Sequence, residues 1–327
     1  MFNQTTYNIL VALADGDFCS GEQLGKDNSI SRAAIGKHIK ALQNLGVDIY
    51  SVTGKGYRLS HAIKLLDSGK ISKALQLDNV AMQVNTVVGS TNDVIKQALL
   101  NNEIDTTYNG TTIFSEAQTA GRGRRGKQWI SPLGSSIYFS THWHFEQGMS
   151  ATMGLSLVIG IAIVDALSTL GVSDLGLKWP NDIYYKGRKL AGILVELEGQ
   201  GSDSCDVIIG AGINVKLPEN ATQDIGQPFT DIAEAGLTVD RNEIAGTVLR
   251  HVITLLKEFE QIGFSGFVER WHKYDCFLGH QVELHMGQRI IEGIANGVDA
   301  QGGILLTIND KQESYFGGEI SLRKAAL

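Results

Sequence analysis

Cysteine is scarce in this sequence. The 327 residues include three cysteines, Cys19, Cys205 and Cys276, which lie far apart and are odd in number. Because neither a Cys-x-x-Cys pair nor a cluster of Cys and His occurs, the sequence predicts no metal site built by the protein and no disulfide framework. This cysteine usage is typical of a protein from a reducing cytoplasm, where we therefore expect it.

The sequence also lacks an excess of positive charge. Its net charge of −7 excludes a general attraction to nucleic acid or membrane, so any such contact must come from a local patch. The first residues have neither a basic region nor an Ala-x-Ala site, and we expect no secretory signal. An uncharged and largely apolar run, residues 149–164, is short for a membrane span. We interpret it as a buried helix.

The first 64 residues differ from the remainder in charge and pattern. They carry a net charge of +2, which leaves −9 for the rest of the chain. Helical stretches begin after Ser20 and Ser31, both good N-caps, and Gly46 ends the second. The following VDIYSVTGKGYRL alternates and turns at residues 54–56, which predicts a two-stranded wing. This order predicts a winged helix-turn-helix domain over 1–64.

The remaining sequence indicates two further domains and an α+β multidomain fold. Residues 65–270 mix strands with helices, including the apolar helix 153–170 and a helix after Asp240 that Gly263 ends. Residues 271–327 contain short strands separated by Gly and Asp turns, which predicts a small β-barrel of five or six strands.

Glycines and arginines are concentrated at residues 121–129, GRGRRGKQW, which we call the arginine loop. Its Gly-x-Gly-x-x-Gly spacing occurs in dinucleotide-binding turns, but those turns open a helix, and the following KQWISPLGSS predicts none. Glycines let backbone N–H groups approach a phosphate, and arginines supply charge-assisted donors. The loop is therefore either an anion-binding loop, mobile until its ligand arrives, or a solvated basic loop.

Three further clusters combine glycines with polar side chains: GSTND (89–93), KWPNDIYYKGRKLAGILVE (178–196) and GAGINV (210–215). Lys178 lies at a strand end before Pro180, where the backbone is restricted, although the cluster could also be a decorated hairpin. Ser90 or Thr91 could bind a polar ligand head, cap the following helix, or do both. In GAGINV, the glycines permit a ligand to approach the backbone closely, and Asn214 adds a polar side chain at the end of the cluster.

Together these clusters resemble the biotin protein ligase family and, with the N-terminal segment, its bifunctional class, which also represses the biotin operon. The resemblance covers essentially the whole chain and rests on GSTND, EAQTAGRGRRGKQWISP, KWPNDIYYKGRKLAGILVE, GAGIN and FGGEISLR. It implies a class II synthetase-like mixed α/β ligase domain over 65–270 that binds biotin and ATP, and a C-terminal SH3-like barrel over 271–327.

The resemblance also implies a reaction. Biotin and ATP, with Mg²⁺ on the pyrophosphate, would give biotinyl-5′-AMP, and biotin would pass to a lysine of the biotin carboxyl carrier protein of acetyl-CoA carboxylase. Cations must offset the repulsion between a carboxylate and a phosphate, which is chemistry that arginines and a lysine can supply. A biotin-sensing transcription factor without catalysis and a lipoate ligase are the alternatives.

Individual roles follow from the resemblance by position. Biotin binding is expected at Ser90, Thr91, Asn92, Gln118, Arg122, Gly123, Arg124 and Lys178. Lys178 and Arg124 are the expected catalytic residues. Positions near the nucleotide or the acceptor lysine are expected for Arg122, Trp129, Asp182 and Asn214. Trp129 either packs over the ligand or belongs to the core, and Arg125 is expected to face solvent or a dimer partner.

The N-terminal domain predicts a second function, binding to operator DNA. The residues expected to contact DNA are Ser31, Arg32, Lys37, His38, Lys40 and, on the wing, Lys55. Charges on a helix face are usually only solvated, but the turn and the wing favour DNA binding. Gly36 lies inside the recognition helix, where glycine costs roughly 0.5–1 kcal/mol relative to alanine. We also expect a homodimer when the adenylate is bound, and no membrane partner.

Overall fold

A computed structural model of the protein describes residues 2–106, 108–198, 204–219, 225–316 and 320–324. The N-terminal part is the predicted three-helix unit with a wing. Its elements are α1 (Gln4–Leu13), α2 (Gly21–Asp27), α3 (Arg32–Asn44), β1 (Ile49–Val52) and β2 (Gly56–Leu59). The hydroxyl of Ser20 accepts from the N–H of Gln23, and that of Ser31 accepts from the N–H of Ala34, which confirms both caps.

The N-terminal domain packs directly on the segment that follows the arginine loop. The N–H of Leu133 donates to the carbonyl of Leu45 over 2.8 Å, and Leu133 is buried in the N-terminal core. A Cβ on Gly46 would lie 2.7 Å from the Cβ of Pro132, so only glycine allows this approach. The end of α3 and the end of the arginine loop are therefore in van der Waals contact.

A buried ion pair holds the connection between the first two domains. The guanidinium of Arg241 donates to Glu116 over 2.8 Å, to the carbonyl of Ser136 over 2.6 Å and to that of Lys64 over 3.1 Å. Glu116 also accepts from the N–H of Leu66. A buried pair adds little net stability, but removing one partner leaves an uncompensated charge. The connection is thus fixed before α4 (Ser68–Leu75) begins.

The central domain is built on a seven-stranded sheet. Its strands are β3 (Met82–Val88), β4 (Thr112–Gln118), β5 (Ser136–Phe145), β6 (Leu175–Lys178), β7 (Asp182–Tyr185), β8 (Arg188–Glu198) and β9 (Cys205–Asn214). The order is β3-β4-β5-β9-β8-β7-β6, with β3 and β4 parallel and every other pair antiparallel. The sequence predicts four short strands between 175 and 215, but β8 and β9 have 11 and 10 residues.

Helices cover both faces of the sheet. On one face lie α6 (Leu155–Thr169) and α7 (Arg241–Ile262), while α5 (Thr91–Leu100) packs on the other through Ile95. The segment Met149–Thr169 is by length and composition apolar enough to cross a membrane, but 61% of it is buried inside the protein. The prediction of a buried helix there is confirmed. Burial on nearly all sides requires an apolar surface all round.

The C-terminal part follows α8 (Val268–Tyr274) and consists of antiparallel strands. These are β10 (Gln281–Met286), β11 (Arg289–Val298), β12 (Ile304–Ile308), β13 (Lys311–Tyr315) and β14 (Ile320–Lys324), in the order β13-β12-β11-β10-β14. The sequence predicts one strand over 313–322, where the structure has β13 and β14. Residues 317–319 of the FGGEISLR motif lie outside the described residues. The indole N–H of Trp179 donates to the carbonyl of Gly302 over 2.9 Å and so joins this part to the central sheet.

Candidate active site

A cleft opens on the α5 side of the central sheet. It encloses about 1200 Å³, including the part open to solvent. Its walls are the start of α5, the arginine loop, and the ends of β4, β6 and β7, while β8 and β9 form its floor. Four segments that the sequence singled out separately therefore meet at one place.

The arginine loop forms a narrow hairpin over this cleft. The N–H of Trp129 donates to the carbonyl of Gly121 over 2.9 Å, and the N–H of Gly123 donates to that of Lys127 over 2.7 Å. The tip is a single 3₁₀ turn in which Gly126 has φ of +70°, a conformation that favours glycine. In the described structure the chain continues from the loop into β5 and not into an α-helix. The prediction that the glycine spacing is not a dinucleotide fold is confirmed.

Polar side chains of the predicted biotin site lie together at the start of α5. The side-chain oxygen of Gln118 accepts from the N–H of Thr91 over 2.9 Å and from its hydroxyl over 3.2 Å. The hydroxyl of Ser140 donates to that of Thr91 over 2.7 Å. Ser90 occupies the N-cap position, but within the described structure its side chain makes no capping hydrogen bond. A polar ligand head would thus meet a preformed set of donors and acceptors.

Trp129 lies on the wall of the cleft and does not belong to the core. Its indole covers the two glycines that pair across the floor, Gly192 and Gly212. A Cβ on Gly212 would lie 2.5 Å from the indole, so that position excludes any larger residue unless Trp129 moves. The ammonium of Lys189 lies 5.3 Å from the centroid of the indole. This geometry favours the interpretation that Trp129 packs over a ligand.

Two lysines bring positive charge to the opposite wall. The ammonium of Lys178 donates to the hydroxyl of Tyr184 over 3.1 Å, and burial raises the pKa of Tyr184 to about 12, so the phenol stays protonated. Lys189 forms an ion pair with Asp182 over 2.7 Å, and both side chains are largely buried. Arg124 reaches the same wall and donates to Asn181 over 3.3 Å. The cations therefore converge where an anion could lie between them.

Arg122 has a different environment, because its guanidinium pairs with carboxylates. One nitrogen donates to Asp93 at the start of α5, and the other lies 2.9 Å from Glu196 on β8. The hydrogen bond to Asp93, with help from Glu196, raises the pKa of Arg122. Arg122 therefore has two carboxylate partners within the protein.

The predicted DNA-binding surface lies apart from the cleft. Arg32, Lys37 and Lys40 are exposed on α3, and Lys55 is exposed on the wing. By contrast His38 is half-buried, and its Nδ1 lies 2.8 Å from the hydroxyl of Thr6 on α1. The side chain of Ser31 serves as the helix cap. Both His38 and Ser31 thus have structural partners within the domain.

The wing also carries an arginine that sequence reasoning did not select. The guanidinium of Arg58 and the ammonium of Lys55 lie 5.5 and 5.6 Å from the ring centroid of Phe18. Phe18 is 39% exposed, so the ring supports two cations at the protein surface. The sequence did indicate Arg58, which is the second basic residue of the GKGYR turn.

Known families match three consecutive parts of the chain. Residues 5–58 match the HTH domain, residues 84–214 the Biotin/lipoate A/B protein ligase family, and residues 277–323 the Biotin protein ligase C terminal domain. The chain is 45% identical to the bifunctional ligase/repressor BirA of Salmonella typhimurium, over 97% of each chain. It is 43% identical to that of Escherichia coli, over 99% of this chain and 98% of the relative.

The chain belongs to the bifunctional ligase/repressor BirA family. Among solved structures it is similar to the biotin protein ligase of Aquifex aeolicus in complex with biotin and ATP, with a TM-score of 0.63 and 30% identity. That similarity covers 75% of this chain and 99% of the other. The predicted three-part fold class is therefore confirmed. The two domain boundaries, after residues 64 and 270, stay predictions, and α8 runs across the second of them.

Within this BirA-family structure, the cleft contains most of the residues predicted for the site. Those that line it are Ser90, Thr91, Asn92, Gln118, Arg122, Gly123, Arg124, Trp129, Lys178 and Asp182. Asn214 does not line it, because its amide is buried and donates to the carbonyl of Thr230 over 3.0 Å. Arg125 is exposed at the loop tip, with φ of +57°.

Sequence reasoning missed Lys189 and Glu196. Lys189 lines the cleft with its side chain only 13% exposed, and Glu196 contacts both Asn92 and Arg122. Both residues lie in the KGRKLAGILVE part of the cluster that the sequence analysis quoted. Their position at the two ends of the apolar stretch LAGILV was a usable signal, but the partners of Glu196 come from distant parts of the chain.

Proposed function

We propose that this protein activates biotin with ATP and transfers it to a lysine of a carrier protein, and that its N-terminal domain represses transcription. The observation that supports catalysis is the convergence of Lys178, Lys189 and Arg124 on a cleft whose other end holds Ser90 and Thr91. A ligand with a polar ring at one end and a carboxylate at the other would span these two groups.

In the first step a biotin carboxylate oxygen attacks the α-phosphorus of ATP, and pyrophosphate leaves. Both reactants are anionic, so their approach is slow unless cations offset the repulsion. Lys178 and Arg124 would hold the carboxylate and the phosphate together, and Lys189 would add a third charge beside Trp129. In the second step the carrier amine attacks the acyl carbon, AMP leaves with the electron pair, and the amine loses a proton.

Mg²⁺ is expected to enter with ATP. The described residues contain no group of three or more His, Cys, Asp or Glu that could hold a metal ion, and Asp182 is already paired with Lys189. The phosphates would therefore provide the ligands for the ion. Bound there, Mg²⁺ would neutralise charge on the departing pyrophosphate.

Water must be excluded once the adenylate has formed, because a mixed anhydride hydrolyses. We expect the arginine loop to be mobile without ligand, opening and reclosing over the cleft, and to stay closed when biotin or its adenylate binds. Hydrogen exchange of residues 121–129 with and without biotin tests this. Equal protection in both states would contradict the proposed closure.

Transfer of labelled biotin to a purified carrier domain, with and without ATP, tests the catalytic proposal. ATP-dependent labelling of one lysine is expected. If pyrophosphate is not released and biotin still binds, the protein is a biotin sensor without catalysis. Competition between biotin and lipoate in the same assay tests the lipoate alternative, because a lipoate ligase would prefer the other acid.

Repression is supported by the exposed cations on α3 and the wing. A helix-turn-helix monomer reads few base pairs, and two-fold dimers usually read paired half-sites. We propose that the adenylate favours the dimer, since a loop already ordered by ligand loses less entropy when subunits meet. By linkage, dimerisation then tightens adenylate binding by the same factor. Carrier protein without biotin would relieve repression by consuming the adenylate.

Binding to a two-fold-symmetric operator should therefore require biotin and ATP and weaken steeply with salt. Fluorescence anisotropy on such a site, with sedimentation in parallel, measures both properties. An affinity and a dimer population that are both indifferent to ligand would mean another role for the N-terminal domain. We place these activities in the cytoplasm, where the substrates and DNA are found together.

A further inference from the structure

We propose that Arg122 is a latch that closes the arginine loop, and that Asp93 and Glu196 set how long the enzyme retains its adenylate. This assigns a positioning role to two carboxylates that lie outside the predicted catalytic set. It also replaces the assignment of the Arg122 side chain to ligand binding. The inference rests on the proposed function, since it concerns the intermediate of that reaction.

The latch joins three separate elements. Arg122 belongs to the loop, Asp93 to the first turn of α5 and Glu196 to β8, at sequence separations of 29 and 74 residues from the arginine. Nη1 donates to Asp93, while Nη2 lies 2.9 and 3.2 Å from the two oxygens of Glu196. The two ends of the guanidinium are therefore held by carboxylates from two different elements, and both pairs must part for the loop to lift.

Glu196 also connects the latch to the predicted biotin site. The amide nitrogen of Asn92 donates to Glu196 over 2.7 Å, and its amide oxygen lies beside the hydroxyl of Ser140. Asn92 is 3% exposed and sits at the start of α5. One carboxylate thus contacts both a wall of the cleft and the loop above it.

The pairs are partly exposed, which suits a reversible device. The side chains of Arg122, Asp93 and Glu196 are 36%, 45% and 32% exposed. Solvent screens such pairs, so each contributes about 1 kcal/mol or less. Losing one corresponds to roughly fivefold faster opening, because 1.4 kcal/mol is a factor of ten. A latch of this strength holds the adenylate yet still opens for the carrier lysine.

The two roles of Arg122 predict opposite signs for the same substitutions. Were its guanidinium a ligand contact, removal of the competing carboxylate charges would free it and lengthen retention of the adenylate. If Arg122 is a latch, the same substitutions remove the charges that hold the loop closed, and the adenylate is retained for a shorter time. Glu196→Gln and Asp93→Asn keep the shape of each side chain and an oxygen that can accept a hydrogen bond, while removing the charge.

The experiment loads the full-length protein with labelled biotin and ATP, removes free ligand and follows the loss of bound adenylate. We expect loss to be about two- to fivefold faster in Glu196→Gln and in Asp93→Asn than in the wild type. Combining Glu196→Gln with Arg122→Gln should add nothing further, because the arginine is already gone. Raising the salt concentration should speed release from the wild type and leave Arg122→Gln unchanged.

Glu198→Gln is the matched control, because Glu198 lies two residues further along β8 and pairs with Lys96 over 2.6 Å instead of with the loop. It should release adenylate at the wild-type rate. Hydrogen exchange of residues 121–129 without ligand should rise in Glu196→Gln and stay constant in Glu198→Gln. That readout tests the latch even if the wild type makes no adenylate, an outcome that would refute the proposed function alone. The latch proposal is wrong if Glu196→Gln and Asp93→Asn both retain the adenylate as long as the wild type does and show wild-type hydrogen exchange in the loop.

Discussion

Replacing Lys178 by alanine should slow adenylate formation strongly while leaving the fold intact. Lys178 ends β6 at the wall of the cleft, and its ammonium is held by the phenol of Tyr184 at 3.1 Å. From there it could reach a carboxylate or phosphate oxygen at roughly 4 Å. At an effective dielectric constant of about 20, two unit charges at that distance attract by about 4 kcal/mol.

A loss of about 4 kcal/mol corresponds to roughly a thousandfold lower rate. Lys189 stays in the same cleft and offsets part of this loss, so we expect a decrease between about 10²- and 10³-fold. Single-turnover formation of labelled biotinyl-5′-AMP, in a rapid-quench apparatus with saturating biotin and ATP, measures the chemical step apart from binding.

Lys273→Ala is the matched control for this substitution. The ammonium of Lys273 also lies over a tyrosine ring, 5.3 Å from the centroid of Tyr274, but outside the cleft. Its loss should leave the rate unchanged. Both variants should unfold near the wild-type temperature. A Lys178→Ala protein that forms the adenylate at the wild-type rate would refute the electrostatic reasoning and make Lys178 a structural residue.

Three further substitutions test other parts of the structure. Gly212→Ala should lower the rate of adenylate formation by about tenfold or more, because the new Cβ would lie 2.5 Å from the Trp129 indole; an unchanged rate would show that Trp129 is free to move. Gly36→Ala should raise the free energy of unfolding by about 0.5–1 kcal/mol, since a Cβ there meets nothing within 4 Å, and a lower urea midpoint would contradict this. Asp275→Asn should stabilise the protein at neutral pH, because burial raises the pKa of Asp275 from 3.8 to about 6. The folded state then binds that proton more tightly than the unfolded state, so stability falls as pH rises through this interval, by about 3 kcal/mol. The advantage of the variant in urea unfolding should disappear below about pH 4, and an advantage that is constant with pH would exclude this cause.

The sequence by itself determined the local elements and the identity of the site. Ser20 and Ser31 cap the helices that follow them. This could be predicted because the capping hydrogen bond reaches only three residues along the chain. The wing follows from alternation and a glycine turn, which are equally local. The cleft was predictable through GSTND, GRGRRG and KWPND, since each of these short segments contributes side chains to it.

Only the tertiary structure decided which partner each polar side chain has. Arg122 meets Asp93 and Glu196 across 29 and 74 residues, and Asn92 meets Glu196 across 104. Asn214, expected near the ligand, instead donates to Thr230 beneath β9, and His38 turns towards α1. The same local sequence pattern is found whether a charged or amide side chain on a strand faces a ligand or another side chain. The choice between them depends on which surfaces the folded sheet and its helices bring together, and no short stretch of sequence contains that information.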